Sequence, residues 1–261
     1  MYSVLSGFFA DKKGGEIFTL FSGWHFFYIV ATVAAITVIL ILLRKKGQES
    51  RVRVTRALIG IAFGLSMADF FLMPLAYGEI DIEKLPFHAC TAMCVACFLS
   101  FWVKPLEKLR TSFAMLGLLS NLTYLIYPAG VMWYGVHPLS YRVIQTLIFH
   151  SVMTVFCLLV LIYERKRINI KRCYRELFVV VGMTLWALLG NYVYSGSTDS
   201  YSRVFNWFFV VGDPLGWLPA DIAPYVMPFL NIVLFFAVEM VIHLVFLAVK
   251  KGERAAVEQT R

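Results

Sequence analysis

Charge is what this chain of 261 residues has least of: 15% of its residues are Asp, Glu, Lys or Arg, against 60% apolar, and its mean hydropathy is +0.73. Soluble domains average about a quarter charged and about half apolar. The scarcity excludes a soluble globular protein and points to an integral membrane protein. Cysteine is sparse too, at five, and these do not amount to a disulfide framework or a zinc site. Cys90, Cys94 and Cys97 instead run along one helix at i, i+4 and i+7. Internal repeats, heptads and low-complexity tracts are missing. No signal peptide is expected, since the first apolar run is about 20 residues long, lacks a small-residue cleavage site and should be retained. The formal charge of +8 would suit nucleic acid, but its distribution speaks for orientation in a bilayer and against a nucleic-acid partner.

What is present is a series of long apolar runs. A helix needs about 20 residues to cross the hydrocarbon core, and seven runs reach or approach that length, at 23–43, 56–77, 86–103, 110–129, 141–163, 176–194 and 224–249. The third is the shortest and opens at Pro86, a residue suited to the first turn of a helix. The expected fold is therefore all-α, one polytopic membrane bundle of seven transmembrane helices over residues 1–261. Loops assigned alternately to two sides place 19 Lys and Arg on one and five, Lys12, Lys13, Lys84, Arg142 and Arg203, on the other. The positive-inside rule then puts the amino terminus outside and the carboxyl terminus in the cytoplasm, in the cell membrane. The longest outer loop, 195–223, begins as turn and continues as an aromatic segment, Phe205 to Trp217, expected to lie in the interface like a lid.

With orientation fixed, each intramembrane polar residue acquires a depth. Trp24, His25, Asp69, His88, Cys90, Asn121, Tyr124, Gln145, His150, Asn191, Tyr192, Tyr225 and Asn231 all fall in the outer half. Lipid offers them no hydrogen bonds, so they are expected to face inward and satisfy one another or line a wet cavity. Within this layer Cys90 and His150 are the pair able to do covalent chemistry, because an imidazole that removes the thiol proton makes a good nucleophile. Cys90 lies roughly 6 Å and His150 roughly 13 Å from the outer boundary, which allows contact. Asn121, Tyr124 or Asn191 would orient the imidazole or donate to an oxyanion.

Blander readings stand beside these. The three cysteines suit close helix packing, and His150, flanked by apolar residues, suits a structural histidine bonded to a carbonyl. His88 is about 200° around a helix from Cys90 and so would not share its face. Asp69 reads as a proton or ion site or as the partner of a buried donor. Glu239 and His243, i and i+4 on the last helix in its inner half, are too few for a metal site.

The run Leu85-Pro86-Phe87-His88-Ala89-Cys90 resembles the opening of a central span in the YwaF family of bacterial membrane proteins. Phe149-His150-Ser151, Gly190-Asn191-Tyr192 and Pro224-Tyr225 extend that resemblance over about residues 20–245. The family is similar to a mammalian transmembrane acyltransferase of ether phospholipids and, more distantly, to the androgen-induced intramembrane lipid hydrolases. The resemblance implies a helical bundle with Cys90 as nucleophile and His150 as base, acting on lipid acyl groups of a phospholipid or lysolipid, with no metal or organic cofactor. Two other classes remain open. One is a transporter whose outer vestibule is lined by Asp69, His150 and Asn191, continued inward only by Glu239 and His243. The other is a non-catalytic membrane component that binds a partner through the outer loop.

Overall fold

A computed structural model describes Phe9 and residues 15–77, 82–132, 135–197 and 205–259. Lys12, Lys13 and Arg203, on which the charge reading partly draws, lie outside the described residues. The described chain is helical throughout, without strands. Helix α1 spans Gly23–Leu43, α2 Gln48–Tyr77, α3 Ala89–Leu99, α4 Arg110–Ile126, α5 Tyr141–Tyr163, α6 Tyr174–Val193 and α7 Ala223–Gln259. Serine caps set two of the starts: Ser22 Oγ accepts from the His25 N–H and Ser140 Oγ from the Val143 N–H, each at 3.4 Å. Six of these stretches are long and apolar enough to cross a membrane, and α3 is the exception.

The short third helix departs from the expected 86–103, and long-range contacts explain why. Its 11 residues rise about 16 Å, roughly half a hydrocarbon core. Pro86 does not enter the first turn, because the Trp186 indole N–H donates to its carbonyl at 2.7 Å and the Phe87 N–H turns back onto Leu85 O at 2.7 Å. At the other end Arg110 holds Ser100, donating Nη2 to its carbonyl at 2.6 Å and Nε to its hydroxyl at 3.0 Å, and Nη1 to Glu164 at 2.9 Å. A buried guanidinium there satisfies carbonyls that a longer helix would have satisfied itself.

Helix ends sort into two groups. At the basic end Arg51 lies 4.7 Å over the Tyr163 ring, Arg167 pairs with Glu107 at 2.6 Å and Arg175 donates to Lys108 O at 3.0 Å. At the opposite end Phe18 N donates to Val136 O at 2.8 Å and Lys84 pairs with Asp69 at 2.8 Å. Helix α5 is central and packs on α1, α2 and α4, while α3 packs on α2 and α4, and α6 on α4 and α7. The bundle is apolar outside as well as in: Phe27, Val30 and Ile41 of α1 and Phe229, Val233 and Val241 of α7 are exposed, as lipid-facing residues should be.

Candidate functional site

His150 is buried on α5, and its surroundings come from α4. The Asn121 amide donates Nδ2 to Gly117 O at 2.7 Å. A carbonyl can only accept, so this contact fixes the amide with Oδ1 facing His150 Nδ1, 2.7 Å away. Oδ1 also only accepts, so Nδ1 carries the ring hydrogen and Nε2 keeps its lone pair. Tyr124, one turn from Asn121, stacks on the imidazole with centroids 3.9 Å apart and planes 25° from parallel. Asn121 and Tyr124 thus both contact the imidazole, which carries its hydrogen on Nδ1.

Cys90 sits in the first turn of α3, half-buried and with a free thiol. His88 is the N-cap, in extended conformation, and makes no side-chain capping bond. No side-chain acceptor from the cap therefore occupies the first-turn N–H groups beside the thiol, and such groups favour negative charge. Because His88 precedes the helix, the helical separation of 200° expected between it and Cys90 does not apply.

A second pair of residues sets the register between α3 and α5. The Cys97 and Cys157 thiols are neighbours, both buried and free. The two helices run in the same direction, so seven residues back from each points to Cys90 and His150. Seven residues are about two turns, about 10 Å, and return a side chain to within about 20° of its starting direction. Among the described residues no hydrogen bond joins Cys90 to His150. Gly117 makes this close packing possible, since a Cβ there would meet Cys157 Sγ at 3.0 Å and Met93 Cβ at 3.5 Å. Cys94-Val95-Ala96-Cys97 is a Cys-x-x-Cys spacing, but one wound into a buried helix with both thiols free.

The rest of the expected polar layer serves other purposes. His25 is structural: Nε2 donates to Leu125 O at 2.7 Å while Nδ1 accepts from Phe21 N at 3.0 Å. Gln145 donates to Leu65 O at 3.2 Å, and Asp69 is paired with Lys84. Asn191 does not reach His150. It docks the outer loop, accepting from Trp207 N and donating to Trp207 O, each at 3.1 Å, and Asn231 donates to Phe208 O at 2.6 Å. These two clamps hold Phe208 and Phe209 at positive φ, 56° and 53°, a strained conformation for bulky side chains.

Two expectations fail here. Phe205, Trp207 and Phe208 are buried in the bundle, not laid on its surface, while Leu215 and Trp217 further along the segment are exposed. Tyr192 and Tyr225 face outward, 80% and 76% exposed, since an amphipathic ring near the boundary keeps its hydroxyl wet without an internal partner. Sequence reasoning also missed Gly117, Arg110 and Glu176. Glu176 is buried although it reads as an ordinary acid in a first helical turn.

Residues 20–249 match the family model described as the TMEM164 family. No curated protein and no solved structure matches the chain.

Proposed function

This chain belongs to the TMEM164 family, and from that premise we propose an intramembrane acyltransferase or acyl hydrolase that works through Cys90 and His150. To the multi-pass membrane architecture this proposal adds the YwaF-type motif at Leu85–Cys90, seven crossings with α3 as a half-length one, the basic end in the cytoplasm of the cell membrane, and the chemistry. The observation that carries the chemistry is the Asn121–His150 contact of 2.7 Å, which leaves the Nε2 lone pair available to act as a base.

In the first step Cys90 Sγ attacks a lipid ester carbonyl while His150 Nε2 takes the thiol proton. The tetrahedral oxyanion forms beside the first-turn N–H groups of α3, whose partial positive charge stabilises it. Collapse breaks the ester C–O bond, and the departing alkoxide takes the proton from His150. Water or a lysolipid hydroxyl then attacks the thioester, its proton passing to Nε2 and on to the released Cys90 thiolate. Water gives hydrolysis and a lysolipid gives acyl transfer. Oriented by Asn121, the imidazole needs no metal or organic cofactor for either.

Labelling with a lipid-chloroacetamide probe tests this reading. Wild-type protein in detergent should label at Cys90, and both Cys90→Ala and His150→Ala should lose that labelling while still folding, with His150→Ala costing about 1–3 kcal/mol because it strands Asn121 Oδ1. Labelling that ignores His150 would overturn the dyad and favour the vestibule reading, in which Asp69, His150 and Asn191 line an outward-facing path.

A further inference from the structure

The basic half of the bundle holds a second polar cluster that the Cys90–His150 chemistry does not use. Glu176 leaves the first turn of α6, and Glu239 and His243 stand one turn apart on α7. All three are buried, Glu239 and His243 completely, at 0% exposure. From α4, Ser112 Oγ donates to Glu176 Oε1 at 3.3 Å, and His243 Nδ1 lies 3.9 Å from the same oxygen. Beyond that the groups are orphaned. Among the described residues, Glu176 Oε2, both carboxyl oxygens of Glu239 and both ring nitrogens of His243 have no hydrogen-bond partner.

Ionised, this cluster would be among the most expensive arrangements a membrane interior offers. Two nearby cations are already engaged, Arg110 of α4 by Ser100 and Glu164 and Arg175 of α6 by the Lys108 carbonyl. Among the described residues Glu239 has no ion pair, and two carboxyls that share one buried site do not both ionise. Among the described residues no three His, Cys, Asp or Glu side chains are grouped to hold a metal ion. The ligand that such a set takes with the least rearrangement is the proton.

We propose that Glu176, Glu239 and His243 form a buried proton-binding site between α6 and α7 that keeps two protons at neutral pH. One proton sits on Glu239 as a neutral acid. The other is shared across the gap between Glu176 and His243, either as an acid beside a neutral imidazole or as a carboxylate beside an imidazolium. Both distributions give the cluster zero net charge. In the unfolded chain, carboxyls near pKa about 4.3 and imidazoles near about 6.5 have lost these protons at alkaline pH. The native state therefore binds more protons than the unfolded one, and stability falls as pH rises.

The test uses the full chain in detergent, with thermal unfolding followed from about pH 6 to about pH 9, for wild type and for Glu239→Gln, which mimics the neutral acid. The expected result is a wild-type Tm that falls with rising pH, and a variant whose slope is clearly shallower and whose Tm at the alkaline end equals or exceeds wild type. A variant with the wild-type slope and a lower Tm throughout would overturn the proposal. Infrared spectroscopy gives a second readout that does not need the variant to fold: wild-type protein at neutral pH should show the C=O stretch of a protonated, water-shielded carboxylic acid. Its absence would overturn the proposal equally, as would a stoichiometric metal ion that Glu239→Gln protein loses.

Discussion

Asn121 and His150 face each other across α4 and α5, 2.7 Å apart, with Asn121 anchored on Gly117 O so that its oxygen, not its nitrogen, meets the ring. Replacing Asn121 with Ala removes this orientation while leaving thiol and imidazole in place. Probe labelling at Cys90 should slow by about tenfold to a hundredfold, less than with His150→Ala, as expected for a group that acts through the base. The orphaned ring nitrogen should also cost about 1–3 kcal/mol of stability. Initial labelling rates and Tm, measured on the same preparations, separate the two effects.

Gly190 packs on Phe87, where an added Cβ would come within 2.5 Å of the ring, whereas Gly182 on the same helix has nothing within 4 Å. Gly190→Ala should therefore push Phe87 and the start of α3 aside at a cost of about 1–3 kcal/mol and slow labelling at Cys90. Gly182→Ala should do neither. Equal effects from both would show that α3 is not positioned through Phe87.

Arg110 ends α3 and pairs with Glu164 with its side chain 9% exposed. Removing one partner of a buried pair strands the other, so Arg110→Ala should cost about 3–5 kcal/mol in detergent unfolding. Arg110→Lys should recover little, because one ammonium cannot serve the Ser100 hydroxyl, the Ser100 carbonyl and Glu164 together.

Glu107, at the basic end outside the helices that cross, has its carboxyl held below the ordinary value of 4.5 by its hydrogen bond to Arg167 and that residue's charge. A depressed carboxyl stabilises the fold above its unfolded pKa, and the contribution disappears as pH falls through the folded value. Wild type should lose slightly more stability than Glu107→Gln on acidification below about pH 5. Both side chains are more than a third exposed, 37% and 44%, so the difference should be small and vanish in high salt.

How far the chain could be read in advance depended on whether the information was local. Helices α1 and α5 begin and end where apolar length and a preceding serine place them. The first turns of α2 were missed because Glu49 and Arg53, which pair at 2.8 Å, stabilise a helix without being apolar. Helix α3 is shorter than its apolar run because its ends are set by Trp186 and Arg110, 100 and 10 residues away from the groups they hold. For the polar layer, sequence gives depth along the membrane normal but not the facing of each side chain. Asn191 and Tyr192 share a depth, yet one docks a loop inside the bundle and the other points outward. Asn121 and His150 share a depth and do meet, a contact spanning 29 residues that their spacing permits but does not dictate.

The proposed acyl-Cys90 intermediate is open to intact-protein mass spectrometry after brief exposure to a phospholipid. The expected result is a mass increase of one fatty acyl chain that maps to Cys90, is removed by hydroxylamine, and fails to form in both Cys90→Ala and His150→Ala. Turnover of the lipid by Cys90→Ala protein, or an adduct mapping to a different residue, would contradict it.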